Sequence, residues 1–81
     1  MRLDKYLKVS RLIKRRTIAN DACNASKIEV NGRAARASYD VKVNDEITIN
    51  LGQRPLTVKV LKVSEHVGKD EAGDMYATVN S

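Results

Sequence analysis

The sequence predicts an α+β fold: two N-terminal helices packed on a small, mostly antiparallel twisted sheet. Three observations carry this. Apolar residues recur at helical spacing as far as residue 25, the period changes to two from residue 27, and Asn31-Gly32 supplies a strong short hairpin signal between extended segments. The 81 residues make one domain, residues 1–81. A chain of this length buries only about 60–65% of the surface its unfolded form exposes. Trp and Phe are absent, so the core must be built from Leu, Ile, Val and Ala.

The first helix buries Leu3, Tyr6 and Leu7, which share an arc of about 100°. Lys5 and Lys8 lie opposite. Arg2, Lys5, Lys8, Arg11 and Lys14 recur every three residues, but a step of three drifts by about 60° around a helix, so they cannot form one stripe. The helix is therefore expected to stop near Val9–Arg11, with Leu12 and Ile13 anchoring a turn back into the core. Asp4 is expected to pair with Lys8 at i+4. Thr17 is a good N-cap for the second helix. Ile18, Ala19, Ala22, Cys23 and Ala25 then define its apolar face, whose small residues permit close helix approach.

The extended segments follow. Ile28 and Val30 lead into the Asn31-Gly32 turn. Val41 and Val43, then Ile47, Ile49 and Leu51, continue the alternation around a turn at Asn44-Asp45. Gly52 to Pro55 break the chain. Leu56, Val58 and Val60 alternate, and Leu61 and Val63 fall out of phase, as at a bulge or twist. Residues 64–74 read as a polar, mobile loop. Met75, Ala77 and Val79 make a last strand, and residues 52–81 add strands that complete the sheet.

The chain supplies no catalytic constellation, so a non-enzymatic role without cofactor is expected. One Cys and one His cannot close a zinc site. His66 sits in the polar loop and is expected to be exposed. Cys23 falls on an apolar helix face as a buried structural thiol. The four glycines are scattered, so no loop cradles phosphate. Asp45 and Glu46 fit turn chemistry better than acid–base work.

Charge is where the sequence departs from the ordinary. Residues 1–42 hold eleven Lys/Arg against four Asp/Glu, whereas residues 43–81 hold four against six. Seven cations and one acid fall in the first seventeen residues. Three explanations compete: a targeting signal, a membrane-surface helix and a grip on nucleic acid. The longest apolar run is three residues, Met75-Tyr76-Ala77. A secretory core needs about 7–15 apolar residues and a spanning helix about 20, so a cytoplasmic protein is expected. A membrane-surface helix needs an apolar face to insert, and Leu3, Tyr6 and Leu7 are claimed by the core.

Nucleic acid remains. Lys14, Arg15 and Arg16 stand before the N-terminus of the second helix, where cations are unfavourable by a few tenths to about 1 kcal/mol. A phosphate there reverses the sign, since helix N–H groups and cations then serve one anion. Arg33 and Arg36, beyond the hairpin turn, extend the basic surface with bidentate phosphate donors. The core claims Tyr6. Tyr39 fits core-edge packing and stacking on a base equally well.

Four stretches, R-L-D-K-Y-L at 2–7, R-R-T-x-A at 15–19, K-I-E-V-N-G-R at 27–33 and N-D-E-I at 44–47, resemble the S-four RNA-binding domain over residues 1 to about 51. Within that family the chain is similar to the stand-alone bacterial group of the heat-shock protein fifteen and RqcP type. The resemblance implies an α-L RNA-binding motif without catalysis, acting as a monomer in ribosome-associated quality control. It further implies binding to large ribosomal subunit rRNA and to peptidyl-tRNA on stalled large subunits, in support of C-terminal tailing by an RqcH-type tailing factor. The alternative is a large-subunit assembly factor that binds rRNA only. The RNA contacts it implies are Arg2, Lys5, Arg11, Arg15 and Arg16, with Arg33 and Arg36 beside them, and the charge before the second helix adds Lys14. The chain departs from the family pattern in carrying Ser26 before the first strand and Asn44 before Asp45, where glycine is usual.

Overall fold

The computed structural model describes residues 1–65, 67–68 and 70–79. His66, expected to be exposed, lies outside the described residues. Helix α1 spans Leu3–Val9 and helix α2 spans Arg16–Asn24. The strands are β1 (Ile28–Val30), β2 (Arg33–Ala34), β3 (Glu46–Ile49), β4 (Leu56–Val60) and β5 (Tyr76–Thr78). They form one antiparallel sheet in the order β2-β1-β3-β4-β5.

Helix α1 ends where the cation geometry requires. Arg11 takes φ 64° and its N–H reaches the Lys8 carbonyl at 3.1 Å, so the chain turns out of the helix. Leu3, Tyr6 and Leu7 are fully buried, and Ile13 returns to the same core. The Tyr6 hydroxyl donates to the Met75 carbonyl at 2.8 Å, which ties α1 to the approach of β5.

Helix α2 begins earlier than its sequence suggests. Arg15, not Thr17, is the N-cap: it is extended (φ −122°, ψ 134°), and its carbonyl accepts the Ala19 N–H at 3.1 Å. Thr17 is already inside the first turn, so its hydroxyl cannot act as the cap. Ala19, Ala22 and Cys23 are buried, whereas Ile18 and Ala25 are exposed. Those two occupy one flank of the apolar arc, and α1 covers only the other. Burial, then the charge of Asp4, pushes the Cys23 thiol up to about 11, so it is an inert core group.

The end of α2 is a Schellman motif. The Ser26 N–H donates to Cys23 at 3.0 Å and the Lys27 N–H to Ala22 at 2.9 Å, with Ser26 at φ 59°. Ser26 thus takes the left-handed conformation that glycine adopts most readily. Asn31 (φ 53°) and Gly32 (φ 83°) make the type I′ turn of the β1–β2 hairpin. Asn44, at φ 79°, is also left-handed.

The inner face of the sheet carries Ile28, Val30, Ile47, Ile49, Val58 and Val60. Their register stacks Val30 beside Ile47 and Ile47 beside Val58, and one apolar row meets the helices. The strand expected at 41–43 does not form, and β1 is flanked by the short β2 and by β3. The Val41 N–H is taken by the Met1 carbonyl at 2.8 Å, and Lys42 to Asp45 close a turn, so this stretch straps the N-terminus instead. Val43 is exposed. Leu51 also falls outside β3, because the chain turns toward Gly52.

After β4, the Leu61 and Lys62 N–H groups both donate to the Met75 carbonyl, at 2.8 and 3.2 Å. Two donors on one acceptor is the pattern of a bulge, which accounts for the lost alternation. The end of the stretch expected to be a polar loop is packed. A 3-10 turn at Ala72–Met75 buries both of its end residues, so Met75 belongs to that turn rather than to β5. No described helix is long and apolar enough to cross a membrane.

Candidate nucleic-acid interface

The centre of the basic face is an acid. Asp4, in the first turn of α1, is 2% exposed. Its Oδ1 accepts Arg2 Nε at 3.2 Å and the Lys5 N–H at 2.8 Å. Its Oδ2 accepts Arg2 Nη2, Arg16 Nε and Asn20 Nδ2, each at 3.4 Å. Burial pushes the Asp4 pKa up. The hydrogen bonds from Arg2, Asn20, the Lys5 N–H and Arg16 outweigh it and hold the carboxyl below its usual value.

The expected Asp4–Lys8 pair is therefore absent, and Lys8 is exposed. Asp4 flanks the face of α1 that packs on α2, where Arg16 and Asn20, one turn apart, both reach it. Arg2 comes from the extended residue before α1. Two arginines on one carboxylate leave the cluster with a net charge of +1. Both arginine side chains are about half exposed, at 51% and 49%. Arg16 spends only its Nε on Asp4, so its four terminal N–H donors have no partner among the described residues. This is a guanidinium pinned at its root and open at its fork, the arrangement that suits bidentate phosphate.

The other expected contacts divide into three groups. Lys14, Arg15 and Arg16 stand exposed at the start of α2, which has no side-chain cap and no acid in its first turn. Arg11 and Lys14 join Lys8 around an open hollow of about 750 Å³ that Val9, Glu65, Val67 and Gly68 also line. Arg33 and Arg36 lie on the hairpin side of the molecule, exposed. Lys5 is placed differently from the rest: its Nζ is 3.1 Å from Glu65 Oε1, an acid sixty residues away.

Sequence reasoning missed Asp4 and Asn20 as organisers of the cluster and Glu65 as a neighbour of Lys5. Asp4 left one signal, as the lone acid in a run of cations beside the buried face. Neither Asn20 nor Glu65 left any. Among the described residues no group of His, Cys, Asp and Glu could hold a metal ion.

The family model of the S4 domain matches residues 1–47, which include α1, α2, the β1–β2 hairpin and all eight expected contacts. This chain belongs to the S4 domain family. It is 49% identical over 80 residues to the RQC P-site tRNA stabilizing factor of Streptococcus pneumoniae, covering 99% of this chain and 91% of that one. It is 53% identical over 76 residues to the protein of the same name from Halalkalibacterium halodurans, covering 94% and 86%. The trimeric structure of Vibrio cholerae Heat Shock Protein 15 superposes with a TM-score of 0.90 at 31% identity, over 98% of this chain and 81% of that one. The structural likeness to that protein thus extends through β4 and β5, beyond the residues that the family model matches.

Proposed function

We propose that this protein is a non-catalytic RNA-binding factor of ribosome-associated quality control. It binds large-subunit rRNA and peptidyl-tRNA on stalled large subunits in the cytoplasm and supports C-terminal tailing of the nascent chain by an RqcH-type factor. The observation that carries the proposal is the Asp4 cluster. A buried carboxylate fixes Arg2 and Arg16 from two elements, and the net positive charge faces solvent. Relatives along nearly the whole chain bear the name of a factor that stabilizes P-site tRNA, which supports tRNA as one ligand.

In this reading the protein acts as a monomer, residues 1–81 as one RNA-binding unit. Arg2, Arg16 and Arg15 hold phosphates at the start of α2, with Lys14 and Arg11 beside them. Lys5, Arg33 and Arg36 widen the basic surface. Affinity is mainly electrostatic and structured RNA is recognised by shape and phosphate position.

Affinity purification of the tagged protein tests the proposal. Large subunits carrying tRNA and nascent chain are the expected cargo. Immature large subunits without tRNA would instead identify an assembly factor that binds rRNA only. A salt titration tests the electrostatic part: contacts to about five phosphates give a log–log slope near −4, and a flat response would overturn it.

A further inference from the structure

Tyr39 and the two hairpin arginines surround a hollow that the Asp4 cluster does not use. It measures about 620 Å³ and lies between the β1–β2 hairpin and the loop after it. Val30, Ala34 and Ala35 give it an apolar part, and Asn31, Arg33, Arg36 and Tyr39 line the rest. The volume is in the range of small-ligand sites. Arg33 sits opposite Val30 in the hairpin register. The Tyr39 N–H donates to the Arg36 carbonyl at 3.0 Å, which closes a single turn, and both residues line the hollow.

The ring is held in place from both ends. Its hydroxyl donates to Asp45 Oδ2 at 2.9 Å, and the Tyr39 carbonyl accepts the Leu3 N–H at 2.8 Å. Asp45 is in turn fixed by Asn31 Nδ2 at 3.2 Å and the Lys42 N–H at 3.0 Å. By contrast, neither the Arg33 nor the Arg36 guanidinium has a partner among the described residues. A fixed aromatic ring, an apolar lining and two unpartnered guanidinium groups meet the needs of one nucleotide. The ring takes a base, and the arginines take the phosphates on either side of it.

We infer that this hollow is a subsite for one unpaired RNA nucleotide, its base stacked on Tyr39 and its flanking phosphates held by Arg33 and Arg36. The inference rests on the RNA-binding reading and deepens it. The Asp4 cluster reads phosphate position, whereas this subsite requires a base that is free of its helix. Through Leu3 and Asp4, whose N–H groups bond the Tyr39 and Ala37 carbonyls at 2.8 and 3.2 Å, the subsite is rigidly joined to that cluster.

The test compares two RNA hairpins, one fully paired and one with a single bulged 2-aminopurine. The wild-type protein is expected to bind the bulged RNA about tenfold more tightly and to quench its fluorescence. Tyr39→Leu should erase both the preference and the quenching while leaving affinity for the paired hairpin unchanged. Tyr39→Phe keeps the ring and loses the Asp45 bond, so it should melt earlier yet retain the preference. Arg33→Ala with Arg36→Ala should reduce the preference without touching the Tyr39 packing. Equal wild-type affinity for the two hairpins, with no quenching, would overturn the subsite and leave the RNA-binding reading standing. Failure of the wild-type protein to bind either hairpin would overturn both.

Discussion

Arg16 and Asp4, twelve residues apart in sequence, meet across the two helices at 3.4 Å, and Arg2 bridges both oxygens of the same carboxylate at 3.2 and 3.4 Å. The acid sets the distance between the two arginines. Without it, two like charges would be free to move apart and into water.

Asp4→Asn keeps the shape of the side chain and removes its charge. It should destabilise the fold by about 1–3 kcal/mol, because charge-assisted hydrogen bonds become neutral ones in a buried place. The sign of the pH dependence follows. The folded pKa lies below the unfolded value of 3.8, so the contribution of Asp4 is complete above that value and is lost as pH falls through the folded pKa. Asp45 is shifted in the same direction: burial, the largest single effect, pushes its pKa up, but the hydrogen bonds from the Lys42 N–H, Tyr39 and Asn31 and the charge of Lys42 together outweigh it. Chemical denaturation between pH 7 and pH 2 should therefore show a steeper loss below about pH 4 in the wild type than in Asp4→Asn. Parallel curves would refute the role given to Asp4.

Arg16→Ala should separate binding from stability. Asp4 keeps Arg2, Asn20 and the Lys5 N–H, and the Arg16 pair is half exposed, so the fold should lose less than about 1 kcal/mol. RNA affinity should fall by about 1–3 kcal/mol, as for a charge-assisted hydrogen bond to phosphate. Filter binding at fixed salt checks this, and undiminished affinity would remove Arg16 from the interface.

Ser26→Gly is expected to stabilise the protein. Serine at φ 59° bears the left-handed penalty of roughly 1–2 kcal/mol that glycine avoids, partly offset by the greater freedom of glycine in the unfolded chain. A net gain of about 1 kcal/mol should raise the thermal midpoint by about 4–8 °C. RNA binding should be unaffected.

Glu65→Gln should strengthen RNA binding. Glu65 holds Lys5 at 3.1 Å with side-chain exposures of 61% and 34%, a pair worth about 0.5 kcal/mol. Releasing the ammonium should raise affinity about twofold and steepen the salt slope by up to about 0.9. A weaker or unchanged affinity would show that Lys5 takes no part in binding.

Much of the fold was legible because it follows from short-range rules. The α1 face of Leu3, Tyr6 and Leu7 needs only the helical period, and the Asn31-Gly32 turn needs only two residues at positive φ. The bulge after β4 showed as a broken alternation at Leu61. The errors arose where a remote partner decided the outcome. Val41 has the pattern of a strand residue, yet the Met1 carbonyl takes its N–H. Ile18 has the pattern of a core residue, yet α1 does not reach that flank of α2. Thr17 has the chemistry of an N-cap, but Arg15 is the residue held extended when the chain enters α2.

The same division runs through the interface. The sequence by itself determined that the first half of the chain is strongly basic, that its evenly spaced cations cannot share one helix, and that three of them crowd the start of α2. Composition and helical period are properties of the chain alone. Only the tertiary structure decided that Asp4 serves Arg2 and Arg16 rather than Lys8, that Glu65 meets Lys5, and that Tyr39 is fixed between Leu3 and Asp45. A carboxylate or hydroxyl has several partners within reach of its sequence neighbours. Which one it takes depends on burial and on competition between segments, and those exist only once the helices and the sheet have packed.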